Sequence, residues 1–355
     1  MKAVVVQKGR TTKVQDVPTP KLKSTEILSK VDSEQSEDES NWKHLVSLSE
    51  PGAILGCDFV GEVVKIGEAV PPGEVNEGEV RWGFMRGGWS KEKGAFAEFV
   101  NQSILNYYNE IPKYLPVEWD LSSVVPENVT PEEAASIPVP FMTAVQALYL
   151  KLGIPEPPSK ASGEWILIWS GNTAVGRFAI QLAKLSGLKV ATTASPKSWD
   201  RLKDLGADLV VDYKDPDAVK KLREGTRDSI VYGLDCISEK GSVQLAQSSF
   251  SLQGGHLICL LFDMGKPARS DVKTEATIGY TLLGTDAPWG KYFVKTTPED
   301  RAIYARWAKL STSLVESEMI RPLVVENIGG LEDIQVALKR MMKGQHTEKM
   351  VATIA

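Results

Sequence analysis

The stretch from Trp165 to Cys259 constrains the fold of this chain more than any other. Trp165-Ile166-Leu167-Ile168-Trp169 is a short continuous apolar run, the pattern of a strand buried on both faces. Behind it Val175, Phe178, Ala179, Leu182 and Leu185 fall at helical spacing. Further strand-like runs stand at 189–194, 208–213, 229–235 and 254–261, with a helical stretch over 239–252 before the last. Strands alternating with helices at this interval predict a doubly wound parallel sheet.

The N-terminal third reads differently. Residues 2–6 form a strand pattern, and 54–70 alternates apolar residues with Gly56, Gly61 and Gly67. Strands that bend around a small β-barrel read this way, with glycine where the backbone turns sharply. Residues 94–100 give another strand, and 132–151 a helical stretch interrupted by Pro138 and Pro140. After residue 290 the order is helix (299–316), strand (322–326), helix (331–343), strand (349–354). That last piece is expected to rejoin the barrel. The expected division is 1–140 with 290–355 for the barrel domain, and 141–289 for the sheet domain.

Composition narrows the function. The 355 residues are 42% hydrophobic and 25% charged, with a net charge of −5, so nothing points to nucleic acid or an anionic membrane. No apolar run approaches the roughly 20 residues that span a bilayer. The first residues lack the apolar core of a signal peptide, which predicts a cytoplasmic protein. Three cysteines and three histidines, far apart, supply neither a disulfide framework nor a four-cysteine zinc lobe.

Gly171-Asn172-Thr173-Ala174-Val175-Gly176 joins the first apolar run to its helix. Such a turn aims backbone N–H groups and the helix dipole at a pyrophosphate. It lacks the middle glycine of the dinucleotide fingerprint, and the surrounding strand and helix carry the reading. The second strand ends Thr193-Ala194-Ser195-Pro196-Lys197, where an NAD site needs a carboxylate for the ribose. No acid is present to repel a 2′-phosphate, Ser195 offers a hydroxyl and Lys197 a charge. NADPH is the expected cofactor. Ser195 also suits a helix N-cap before Pro196, and one residue can serve both ends.

These residues, with Leu205-Gly206-Ala207-Asp208, Asp212-Tyr213, Asp235-Cys236-Ile237 and Gly254-Gly255-His256, resemble the medium-chain dehydrogenase/reductase superfamily. Within it they resemble the fungal branch of ToxD-like and trans-acting enoyl reductases. The resemblance implies an α/β protein: a GroES-like β-barrel catalytic domain beside a Rossmann domain, with the active site in the cleft. Zinc alcohol dehydrogenases of the superfamily carry Gly-His-Glu where Gly56-Cys57-Asp58 stands here, so no metal is expected. The family's active-site strand reads Asn-Pro-x-Asp-x-Lys, matched by Asp38-Glu39-Ser40-Asn41-Trp42-Lys43. The Lys is kept, Asn41 replaces Asp, and Asp38-Glu39 replaces Asn-Pro. Before it, Asp32 to Ser40 (DSEQSEDES) replaces an apolar strand, which reads as a solvated loop or altered substrate recognition.

The resemblance further implies that Ser40, Asn41, Trp42 and Lys43 lie near the nicotinamide. Gly171, Asn172, Thr173, Ala174 and Val175 would hold the pyrophosphate, and Ser195, Pro196, Lys197 and Ser198 the 2′-phosphate. Tyr213 falls on the adenine side, with Leu260 and Leu261 by the carboxamide. Thr143 and Ala144 would face substrate, and Gly279, Tyr280, Thr281, Leu282 and Leu283 would line the acyl pocket. Lys43 and Thr143 are the candidates for orienting the substrate carbonyl. The expected activity is NADPH-dependent reduction of an α,β-unsaturated thioester or enone, in trans to a polyketide synthase, with a monomer favoured over a dimer. Alternatives are a quinone or carbonyl reductase, a cofactor-binding scaffold, and a non-redox enzyme on the same fold.

Overall fold

A computed structural model describes residues 1–35, 45, 48–102, 121–158, 163–239, 241–346 and 348–354. The chain divides into two compact units, Met1–Val139 with Tyr280–Ala355, and Pro140–Gly279.

In the second unit six strands run parallel in the order Leu209–Val211, Lys189–Thr193, Trp165–Trp169, Ile230–Asp235, Gly255–Cys259, Val272–Ala276. Ile166, Leu167 and Ile168 have no exposed surface, as the unbroken apolar run demands. Helices Ala174–Leu185 and Ser242–Ser248 follow the first and fourth strands in sequence. The chain reverses its direction of travel across the sheet between Trp165–Trp169 and Ile230–Asp235. In such sheets ligands bind outside the carboxyl ends of the strands at that reversal. This is the Rossmann arrangement. Leu167, Trp169, Phe250 and Leu257 belong to one hydrophobic core.

The first unit is built on a seven-stranded sheet. Its order is Val325–Asn327, Lys349–Thr353, Ile27–Gln35, Asp58–Ile66, Val80–Phe84, Ser122–Val124, and Phe99–Gln102 also pairs with Ile27–Gln35. The C-terminal strand thus rejoins the N-terminal barrel, a GroES-like arrangement. Gly61 shows why glycine is needed there: a Cβ would sit 2.3 Å from the Lys30 carbonyl oxygen. Val4, Val31, Phe59, Phe96 and Met350 meet in the core.

Two expectations change. Asp32–Gln35 is no solvated loop. It ends the strand Ile27–Gln35, with Ser33 opposite Thr353 and Gln35 opposite Val351. Ser33 is 1% exposed, and burial raises the Asp32 pKa above the usual carboxylate value. Strand pairing here overrides the polar side chains. Residues 36–40 lie outside the described residues. The helical stretch 132–151 is three pieces: Pro131–Ala135, Pro138–Val145 and a π-helical turn, Gln146–Lys151. Pro138 at the start of the second piece accounts for the first break, and that helix runs through Pro140 into the π turn without one. Among the described residues no helix is long and apolar enough to cross a membrane.

Candidate functional site

Each cofactor-contacting candidate that is described lies on the nucleotide unit, after a strand's carboxyl end. Ser170 turns the chain with a left-handed backbone (φ 63°), and its N–H donates to Thr193 Oγ1 at 2.9 Å. A Cβ on Gly171 would lie 2.2 Å from Thr192 Oγ1, and one on Gly176 2.7 Å from the Gly171 Cα. Both glycines let helix and strand approach closely, the packing role of fingerprint glycines. Thr173 caps Ala174–Leu185: its hydroxyl accepts from Gly176 N at 3.1 Å and donates to the Ser170 carbonyl at 3.0 Å. The N–H groups of Ala174 and Val175 have no carbonyl inside the helix to meet, and both residues are half-buried. Asn172 Oδ1 is buried without a hydrogen-bond partner among the described residues. An unused acceptor beside unused donors is what a dinucleotide's ribose hydroxyls and phosphates would satisfy.

At the next strand end Ser195 takes the N-cap place before the single turn Pro196–Ser198, yet its side chain makes no cap hydrogen bond. The expected capping contact is therefore absent, and the half-buried hydroxyl is left for another partner. Trp199 Nε1 donates to the Ala194 carbonyl at 2.9 Å and Ala194 N to the Val211 carbonyl at 3.0 Å, which fixes this strand end. Lys197 is exposed, and Ser198 is buried at the turn's end. Tyr213 follows Leu209–Val211 and is 41% exposed.

Asp235 organises the fourth strand end. Fully buried, it accepts from Ile237 N at 2.9 Å, Ser238 N at 3.0 Å and Ser242 Oγ. Burial raises its pKa against those donors. Ser238 Oγ in turn accepts from Leu260 N at 2.7 Å, which holds the Leu260-Leu261 turn in place. The nearby thiols are inert by burial: Cys236 is pushed far up and Cys259 to about 12.

The substrate candidates separate into two groups. In the nucleotide unit, Thr143 on helix Pro138–Val145 is half-buried, and Gly279 is so close that a Cβ there would stand 2.9 Å from Thr143 Oγ1. The π turn supports this approach, since Gln146 Oε1 accepts from Thr277 Oγ1 at 2.7 Å. Ala144 is fully buried. In the barrel unit, Tyr280 packs on Phe84 with ring centroids 6.4 Å apart, and its hydroxyl lies 3.2 Å from Cys57 Sγ. Thr281 and Leu282 face that unit's own interior. The Thr281 hydroxyl donates to Asp300 Oδ1 at 3.0 Å, and Leu282 has no exposed surface. Leu283 is half-buried. Ser40, Asn41, Trp42 and Lys43 lie outside the described residues.

Arg86 was not legible as a site residue. It stands two residues beyond the strand Val80–Phe84, with its guanidinium 3.8 Å from the Trp89 ring centroid and 5.5 Å from that of Tyr280. The sequence signal was slight: one cation in Met85-Arg86-Gly87-Gly88-Trp89, with no acid beside it. Its presence also tests the site for zinc. Cys57 Sγ is engaged with a phenol and shares its surroundings with a guanidinium. A soft anionic ligand set is what zinc requires, and a fixed cation opposes it. Among the described residues no group of three or more His, Cys, Asp or Glu could hold a metal. The described residues around Cys57 do not fit zinc.

A Rossmann sheet on one unit and a GroES-like sheet on the other is the architecture of the medium-chain dehydrogenases and reductases. Residues 174–288 match the family described as zinc-binding dehydrogenase. The trans-enoyl reductase ACTTS2 of Alternaria alternata is 34% identical over 97% of this chain and 96% of its own. The trans-enoyl reductase TOXD of Cochliobolus carbonum is 35% identical over 80% of this chain and 90% of its own. The crystal structure of CurK enoyl reductase superposes with a TM-score of 0.77 at 16% identity, covering 100% of this chain and 99% of that one. The chain belongs to the medium-chain dehydrogenase/reductase superfamily, in the branch of the fungal trans-enoyl reductases.

Proposed function

We propose that this chain is an NADPH-dependent enoyl reductase that delivers hydride to the β-carbon of an α,β-unsaturated thioester or enone. The acyl chain would be presented by a polyketide synthase. The observation that carries the reading is the end of strand Lys189–Thr193: no carboxylate, a serine hydroxyl without a capping bond, and an exposed Lys197. Two relatives above 30% identity that are named trans-enoyl reductases support the acceptor.

Bound NADPH supplies the hydride. The chain's own residues hold and orient. Ala174 and Val175 N–H groups take the pyrophosphate, Asn172 Oδ1 a ribose hydroxyl, and Ser195 with Lys197 the 2′-phosphate. As hydride arrives at the β-carbon, charge builds on the thioester carbonyl oxygen, which needs donors placed in advance. The Thr143 hydroxyl and the Lys43 ammonium are assigned that role. No step needs a metal.

The test is steady-state turnover with NADPH across a panel of enoyl thioesters, quinones and aldehydes. Efficient turnover of enoyl thioesters alone is expected. Faster reduction of quinones or aldehydes would move the assignment to a quinone or carbonyl reductase. Tight NADPH binding with no turnover of any acceptor would leave a scaffold or a non-redox enzyme.

A further inference from the structure

The barrel unit holds a cation, Arg86, with no counter-charge among the described residues. Arg86 is half-buried, and that burial pulls its pKa below the usual guanidinium value. Its Nη2 donates to the Pro288 carbonyl, and Nη1 lies 3.5 Å from the Asp286 carbonyl oxygen. Both partners are neutral. Nε is buried and has no acceptor among the described residues. Nor does any carboxylate stand within ion-pair distance of Arg86 among the described residues. Among the described residues the titratable groups that act on it are Tyr280 and Cys57, which lie 3.2 Å from each other, and the Asp286 carboxylate is turned to Thr296 N at 2.9 Å.

Buried charges in proteins are normally paired, because an uncompensated one is costly. Packing and two backbone carbonyls explain why the side chain is held, and the stack on Trp89 explains its plane. Neither explains why a cation is kept there. A neutral donor would brace the Asp286 and Pro288 carbonyls at less cost. An anionic oxygen that arrives with a ligand and leaves with it would account for the charge.

We propose that Arg86 is a catalytic residue, the fixed cation of the barrel unit that donates N–H to the substrate carbonyl oxygen as it becomes an enolate. This rests on the enoyl reductase reading and deepens it. Trp89, 42% exposed, lies over the guanidinium face and leaves the in-plane N–H edge to the oxygen. The Tyr280 ring, 5.5 Å from the guanidinium, and the Cys57 thiol, 3.2 Å from the Tyr280 hydroxyl, are its neighbours there. Hydride forms the new C–H bond at the β-carbon, and the displaced π electrons come to rest on the carbonyl oxygen. Arg86 stabilises that charge without giving up a proton.

The experiment uses Arg86→Gln and Arg86→Lys in the full chain. With crotonyl-N-acetylcysteamine as substrate, Arg86→Gln should lower kcat by about 10²–10³-fold, the usual loss for an oxyanion donor. KM and the NADPH dissociation constant should hardly move, and Arg86→Lys should recover part of the rate. A wild-type kcat in Arg86→Gln would overturn the proposal. So would equal losses in both variants, because the brace on residues 286 and 288 would then be what matters. A second readout needs no turnover. Acetoacetyl-N-acetylcysteamine should bind the wild type more tightly as pH rises through its enolisation, and Arg86→Gln should lose that gain. A wild type that shows the gain yet reduces no enoyl thioester would refute the reductase reading and retain Arg86 as an enolate site. A wild type that reduces enoyl thioesters but shows no gain would refute Arg86 alone.

Discussion

At residue scale the account turns on a few polar groups that the fold leaves unused. Ser195 occupies a cap position without capping, and Lys197 beside it is exposed. Lys197→Ala should therefore weaken NADPH by roughly tenfold, the low end for a charge-assisted contact at an exposed site. NADH binding should not change, and fluorescence titration of both cofactors checks it. Equal weakening of the two would place Lys197 away from the 2′-phosphate. Thr143 is the second such group. Its hydroxyl faces the close approach of Gly279, and Thr143→Ala should lower enoyl thioester turnover while leaving NADPH affinity unchanged. Lys43→Ala, at a position outside the described residues, should do the same, by about 10²–10³-fold if its ammonium is a well-placed donor. Wild-type rates in both variants would remove them from the reaction. The juxtaposition of Cys57 with Tyr280 could not be read from the chain, because 223 residues separate them. Arg86 was hidden for the same reason: that no carboxylate among the described residues meets it is a property of the folded unit.

At the scale of elements, what was legible was periodicity. The apolar run 165–169 and the helical spacing behind it became the strand Trp165–Trp169 and the helix Ala174–Leu185. Burial on both faces writes the strand as a continuous run, and a single buried stripe writes the helix. The polar end of Ile27–Gln35 was not legible. A strand held by pairing to Lys349–Thr353 and Asp58–Ile66 tolerates Asp32 and Ser33, and those partners are remote in sequence. The π turn Gln146–Lys151 was likewise invisible, since periodicity does not separate it from an α-helix. One consequence is testable at this scale. Thr173 caps the cofactor helix through Gly176 N, so Thr173→Ser should be nearly neutral and Thr173→Ala should cost about 1 kcal/mol of stability. Thermal melts of both variants measure this. A larger loss of NADPH affinity than of stability would mean that the cap also orders the turn Ser170–Asn172.

At the scale of the whole molecule, the residues proposed for the reaction are distributed over the two units. The nucleotide unit carries the proposed cofactor cradle, and the barrel unit brings Cys57, Tyr280 and Arg86 together. Activity should survive chelation unchanged, and elemental analysis should find well under one zinc per chain. A tightly held equivalent of zinc whose removal abolishes turnover would contradict the donor chemistry around Cys57. The central claim is the direction of hydride transfer, and stereospecifically deuterated NADPH tests it most directly. With a crotonyl thioester, mass spectrometry and NMR should place one deuterium on the β-carbon, with the α-proton drawn from solvent and the thioester intact. Deuterium at the carbonyl carbon, or none transferred to any enoyl acceptor, would contradict the account.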